Sequence, residues 1–295
     1  MDDIFTKLRN LWRDGGILIR LIYINVGVFI LIRVAALILM LFHLDGNDFL
    51  LYLQIPASFK TLLVRPWTLI TYMFTHYGFL HILFNMLWLY VFGKIFLQFL
   101  NGRQLGGLYF MGGIAGGLLF MVCYNIFPYF RESMDVSYMM GASAAVMAIV
   151  FAISFYQKNY ELNIILIGRI KLIYLAIFCL VLDFLAIGSD NAGGHIAHIG
   201  GALFGMLFAY LYSNGTDITR PVSRVLDWFV NLFKPRPKKA KMHVTYNKRE
   251  ADYEFNTRKH QEMDELDAIL DKLKRSGYSS LSADEKKKLF DAGKK

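Results

Sequence analysis

The sequence predicts an all-α membrane protein, a bundle of six membrane-crossing helices in which the fourth is short and recessed. Three observations lead there. Hydrophobic residues make up 56% of the 295 and charged residues only 19%, with a mean hydropathy of +0.39, whereas soluble chains are about 45–50% apolar and about 25% charged. The charges are also unevenly spread, since residues 214–295 hold 19 of the 32 Lys and Arg and 13 of the 23 Asp and Glu. Finally, apolar runs near the ~20 residues that cross a bilayer as helix recur six times along the first 213 residues. A disordered chain, a collagen-like fibre and a single soluble core are excluded by this pattern.

Residues 1–16 form a short N-terminal segment. Asp2, Asp3 and Asp14, and the length of the apolar run behind them, do not fit a cleavable signal peptide. The six candidate spans, at about 18–42, 79–99, 104–126, 141–157, 170–188 and 196–213, define a membrane domain over 17–213. Residues 43–78 are apolar but broken by Asp45, Gly46, Asp48, Pro56, Lys60 and Pro66. They read as a partly embedded loop with short interfacial helices, with Trp67 and Tyr72 at headgroup level.

Orientation follows from the basic flanks. Lys7, Arg9, Arg13, Arg20, Lys94, Arg103, Lys158, Arg169, Lys171, Arg220 and Arg224 fall on one side, and Lys60, Arg65 and Arg131 on the other. Both termini are expected in the cytoplasm, with the protein multi-pass in the cell membrane. The excess of positive charge, +9 overall, then belongs to a juxtamembrane linker at 214–259, whose run Lys234–Lys241 attracts anionic headgroups, and no nucleic-acid partner is implied. At 260–295 a small helical tail is expected. Leu266, Ile269, Leu270 and Leu273 share a face, Gly277 ends the first helix, and Ser282 with Glu285 makes a capping box before Leu289 and Phe290. A pair that small is expected to dock on an unknown cytoplasmic partner.

Polar groups within spans are costly, which makes each a candidate for function. Ser143 lies at the start of the fourth span, whose seventeen residues rise only about 25 Å, less than the hydrocarbon thickness. A serine at a recessed helix N-terminus is placed to attack a carbonyl beside unpaired backbone N–H groups. His198 shares a face of the sixth span with Gly201, Ala202 and Gly205, and the fourth span carries a matching small stripe of Gly141, Ala144, Ala145 and Ala148. Close packing of those stripes brings an imidazole base near the hydroxyl. His81 and Asn85, four apart on the second span, point the same way and supply N–H donors suited to an oxyanion. Each of these side chains taken alone also suits interhelical packing or hydrogen bonding; it is their combination that points to chemistry.

The chain resembles the rhomboid intramembrane serine proteases, in the bacterial six-span form with a C-terminal cytoplasmic tail. The resemblance is carried by Arg65-Pro-Trp-Thr68 followed by His76, His81-Ile-Leu-Phe-Asn85-Met, Gly112-Gly-Ile-Ala-Gly-Gly117, Gly141-Ala-Ser143, and Ala197-His198-Ile-Gly-Gly201 followed by Gly205. It implies a nucleophile at Ser143 and a base at His198, a dyad with no acidic third member. It also implies an oxyanion site of His81, Asn85 and the Ser143 backbone N–H, with Gly141, His76, Gly201 and Gly205 in support. Further implications are a water-filled cavity gated by the fifth span and the loop before the fourth, single-span membrane proteins as substrates, and no cofactor. Ala144 stands where the family pattern has glycine, which crowds the oxyanion site or tightens helix packing.

The rival readings are weaker. A zinc site of His76, His81, His195 and His198 lacks a carboxylate to activate a bound water and leaves Ser143 and Asn85 unexplained. A catalytically inactive rhomboid-like scaffold is favoured by Ala144 alone, and a transporter would show inverted repeats. Arg33 and Asp183 are read as structural, either paired with each other or with Asp183 near the outer interface, and His195 as a solvent-facing residue beside Asn191. Cys123 and Cys179, both in apolar runs, give no disulfide framework.

Overall fold

A computed structural model of the chain describes residues 3–44, 46–164, 168–232 and 248–293. It forms two units, Met1–Lys234 and Pro235–Lys295.

In the first unit α1 (Ile4–Asp14) leads through Gly16, at φ +66, into α2 (Gly16–Leu41). Of the 26 residues of α2 only Leu18, Leu21, Asn25 and Ile32 are buried, so most of its surface is left for lipid. The loop at 43–78 carries the expected short helices, and a strand besides: α3 (Gly46–Leu51), a two-residue strand β1 (Ile55–Pro56), α4 (Phe59–Val64), α5 (Thr68–Thr71) and a 3₁₀ turn at Tyr72–Phe74. Trp67 donates its indole N–H to the Tyr52 carbonyl at 2.8 Å and stays half exposed. Tyr72 departs from the headgroup reading. It is fully buried, and its hydroxyl donates to the Gly113 carbonyl at 2.5 Å, because a phenol can enter the core once its O–H has a partner.

Two long helices follow, α6 (Phe79–Phe99) and α7 (Gly102–Ile126), the latter opened by a reciprocal capping box between Asn101 and Gln104. After α8 (Pro128–Arg131), strand β2 (Tyr138–Met139) pairs antiparallel with β1, Ile55 opposite Met139 and Pro56 opposite Tyr138. Helix α9 (Ser143–Tyr156) comes next. A hairpin absent from the sequence reading, β3 (Glu161–Ile164) against β4 (Gly168–Lys171), leads to α10 (Leu172–Leu185), α11 (Ala192–Ser213) and α12 (Arg220–Leu232). Among the described residues four helices, α2, α6, α7 and α11, are long and apolar enough to cross a membrane. The predicted fourth and fifth spans are both short, α9 and α10 having 14 residues each, or about 21 Å of rise.

α9 is the centre of the bundle. Every residue from Ala144 to Ser154 is buried, and α6, α7, α10 and α11 all pack on it, α11 most extensively. The reason is the small residues the sequence places there. A Cβ at Gly201 would collide with the Ala144 carbonyl oxygen, one at Gly205 with that of Ala148, and one at Gly112 with the Ala148 methyl. Backbones therefore touch on two sides of α9, the packing that small stripes allow in a membrane, where no hydrophobic driving force joins helices. Polar ties add to it. The Asn25 amide donates to the Tyr109 hydroxyl at 3.0 Å, and that hydroxyl donates to the Met73 carbonyl at 3.2 Å, joining α2, α7 and the loop.

The stretch 214–259, expected to be a linker, carries α12 and the start of α13; its run Lys234–Lys241 lies outside the described residues. In the second unit, α13 (Lys248–Ser276) ends at Gly277, at φ +77, and α14 (Ala283–Ala292) opens with the predicted capping box of Ser282 and Glu285. Ile269 is buried and Leu266 and Leu273 partly so, whereas Leu270 and Phe290 are largely exposed. The apolar face is thus narrower than the four-residue stripe implied. Lys272–Glu285 at 2.9 Å and Lys288–Glu265 at 2.6 Å tie α14 to α13.

Candidate active site

The chain before α9 is held by backbone bonds from three directions. Ala57 N–H donates to Ser137 O at 3.0 Å beside the β1–β2 pair, and Gly141 N–H donates to Tyr72 O at 2.9 Å. At Ala142 the N–H is directed at His76 Nε2, 3.4 Å away. Gly141 sits at φ +130, and a Cβ there would lie 2.9 Å from Cε1 and Nε2 of His81. Only glycine both adopts that backbone and admits the imidazole. Ser143 then begins the helix with its N–H and hydroxyl at the uncapped end.

Ser143, His81, Asn85 and His198 line one cavity of about 490 Å³, between α6, α9, α10 and the start of α11. Trp88, Val146, Met147 and Leu182 give it an apolar wall. Asn85 spends one amide hydrogen on the His81 carbonyl at 2.9 Å, an i to i−4 bond that fixes its rotamer and leaves the second hydrogen for the cavity. Ser143 Oγ and His198 face the cavity with no hydrogen bond between them among the described residues, and nucleophile–base bonds are often long before substrate binds. Of the supporting residues, His76 is 2% exposed and edge-on to the His81 ring, at 5.2 Å between centroids. Gly201 and Gly205 act through the α9–α11 contact. Burial first, and then the neighbouring His81, holds the His76 imidazole down at about 4.

Ala144 resolves by direction. Its methyl lies against Gly116 of α7, where a Cβ would come within 2.6 Å, and it takes no part in lining the cavity. Ala144 therefore belongs to the α7–α9 contact.

Three readings change. Asp183 does not pair with Arg33: Arg33 is exposed with its guanidinium 5.2 Å over the Phe29 ring, while Asp183 is 7% exposed and lines the cavity. Asp183 Oδ1 lies 2.8 Å from Nδ1 of His198, so a carboxylate does stand behind the expected base of the dyad. His195, expected to face solvent, has its Nδ1 2.8 Å from the same oxygen. The signal that could have found this trio was a pair of histidines at i, i+3 with one carboxylate on the preceding helix. Donor atoms of Asp183, His195 and His198 lie within 4.8 Å of one another, so among the described residues it is these three, and not the four histidines, that are grouped closely enough to hold a metal ion.

A serine and a histidine held on facing helices, with amide and imidazole groups around them in one cavity, define a helical membrane protein with a polar site inside its bundle. The chain belongs to the rhomboid family, whose domain matches residues 64–215. Residues 249–295 match a second family, one of unknown function (DUF6576). Curated relatives include the RHOMBOID-like protein 12, mitochondrial, of Arabidopsis thaliana, 29% identical over 64% of this chain and 56% of its own length. Another is the Presenilin-associated rhomboid-like protein, mitochondrial, of Mus musculus, 29% identical over 52% of this chain and 39% of its own. The chain thus spans about half or less of the length of these relatives.

Proposed function

We propose that this chain is an intramembrane serine endopeptidase that cuts single-span membrane proteins in or near their transmembrane segments. The observation that carries the proposal is the sharing of one cavity by Ser143, His198, His81 and Asn85 within a bundle of apolar helices. In this reading His198 Nε2 takes the hydroxyl proton as Ser143 Oγ attacks the scissile carbonyl. The oxyanion is received by the Ser143 N–H, the Asn85 amide and the His81 imidazole. His198 then gives its proton to the leaving amine, and a water, deprotonated in turn by His198, releases the acyl group from Ser143.

Loose packing of α10 supports a lateral way in for a substrate helix, since only Leu172, Ala176 and Asp183 of its 14 residues are buried. Ala144, the one feature favouring a non-catalytic scaffold, has its methyl turned away from the cavity. The basic flanks support a location in the cell membrane with both termini in the cytoplasm, where the lipid bilayer is the surrounding partner and the tail binds a cytoplasmic protein.

Co-expression with a panel of tagged single-span proteins tests the activity. Cleavage by the parent that Ser143→Ala and His198→Ala both abolish, at unchanged protein level, is the expected result; equal processing by parent and Ser143→Ala ends the reading. A reporter fused to the C-terminus tests the orientation.

A further inference from the structure

Asp183 sits near the end of α10 and His195 and His198 one turn apart on α11, so their convergence is tertiary. Among the described residues, the hydrogen-bond and ion-pair partners of the Asp183 carboxylate are those two rings, both through Nδ1 and both at 2.8 Å from Oδ1. A carboxylate this enclosed needs donors to remain there, and with no lysine or arginine paired to it the two Nδ1–H groups are what it has.

We propose that Asp183 is the positioning residue of this site: it holds His198 as the Nδ1–H tautomer, with Nε2 free to accept the Ser143 proton. The inference rests on the reading of Ser143 and His198 as nucleophile and base, and adds to their dyad a third member acting through the imidazole. A neutral imidazole can carry its proton on either nitrogen, and only the Nδ1–H form is a base toward the cavity. The carboxylate, an acceptor only, selects that form and fixes the plane of the ring. It also stabilises the imidazolium formed during attack, without itself taking up the proton. His195, donating to the same oxygen, gives that oxygen a second tie to α11. The 2.8 Å spacing is that of a charge-assisted N–H···O bond.

The test uses the full chain in detergent micelles, a fluorophosphonate as the probe, and Ser143→Ala as the blank. The saturating rate of labelling and the half-saturating concentration are measured separately, alongside thermal unfolding. Asp183→Asn, which can present an N–H to His198 and so favour the wrong tautomer, is expected to lower the saturating rate by about 10²–10⁴, with half-saturation and unfolding unchanged. Asp183→Glu should restore part of the rate. Nitrogen NMR of isotope-labelled histidine in Ser143→Ala is expected to show His198 protonated at Nδ1, and protonated at Nε2 once Asp183→Asn is added. A folded Asp183→Asn that labels at the parental rate overturns the proposal. So does a parental His198 protonated at Nε2, which also decides the matter if Asp183→Asn fails to fold. Labelling that a chelator abolishes and zinc restores overturns it as well, because the trio would then be a ligand set. If Ser143 is never labelled, the protease reading fails, while the tautomer spectrum still judges the Asp183–His198 contact.

Discussion

His76 Nε2 lies 3.4 Å from the backbone N–H of Ala142, one residue before Ser143, while its Nδ1 lies 3.3 Å from the Phe74 carbonyl. Both contacts are hydrogen bonds only if the ring is neutral and carries its proton on Nδ1. His76 therefore links the loop before α6 to the turn that presents Ser143. A rotation of that turn would move the Ser143 hydroxyl and its N–H together.

That linkage is sensitive to acid. The ordinary imidazole value is 6.5, and in the fold His76 is held at about 4, by burial first and then by His81. The unfolded chain thus takes up a proton before the folded one does. The stability due to this difference is present above pH 6.5 and is lost as pH falls toward 4. Unfolding midpoints measured between pH 7 and pH 4 should fall, and His76→Gln should flatten the decline in that window. Equal slopes for parent and variant would show that His76 is not the group responsible.

In the proposed mechanism Asn85→Ala removes one oxyanion donor and leaves the Ser143 N–H and His81. Loss of one such donor lowers kcat by about 10²–10³ elsewhere, and a fall of that order with little change in KM is expected in the substrate-cleavage assay. Because the Asn85 bond to the His81 carbonyl lies within one helix turn, unfolding should shift little.

Ala144→Gly restores the family pattern and is expected to leave kcat as it is, since the methyl faces Gly116 and not the cavity. The variant should be less stable, by about 1 kcal/mol from helix propensity alone. Denaturation in mild detergent measures this. A rise in kcat would place the methyl near the reacting atoms after all.

Cys179 lines the cavity from α10, and Cys123 of α7 does not. A bulky maleimide should block fluorophosphonate labelling of the parent and of Cys123→Ala, while Cys179→Ala should resist the block. Protection by Cys123→Ala instead would mean the reagent acts elsewhere.

Much of the fold was legible in the sequence because a membrane helix announces itself by a run of apolar residues and the close packing by Gly and Ala at helical spacing. The seam of Gly201 and Gly205 against Ala144 and Ala148 is such a case: the missing Cβ atoms are themselves the signal. The strand pairs were not legible. Ile55–Pro56 and Tyr138–Met139 are two residues long, too short for any alternation to register, and only the fold brings them together. The Asp183 contacts were missed for a related reason. Whether a carboxylate at the end of one helix meets an imidazole on the next depends on the rotation of both helices, which apolar runs leave open. Tyr72 was misread because aromatic residues at membrane edges are so often interfacial that burial of this one required knowing its partner, the Gly113 carbonyl.

The short β1–β2 pairing also fixes how far the folding unit reaches. The matched rhomboid domain begins at residue 64, yet the strand that steadies the approach to Ser143 is supplied by Ile55 and Pro56. A fragment trimmed to the homologous boundary would keep Ser143 and His198 while leaving Tyr138 and Met139 with an open edge. It would also lose the Ala57 N–H that bonds Ser137 and the Asn25 amide that meets Tyr109. A fragment that keeps these contacts must therefore start upstream of α2.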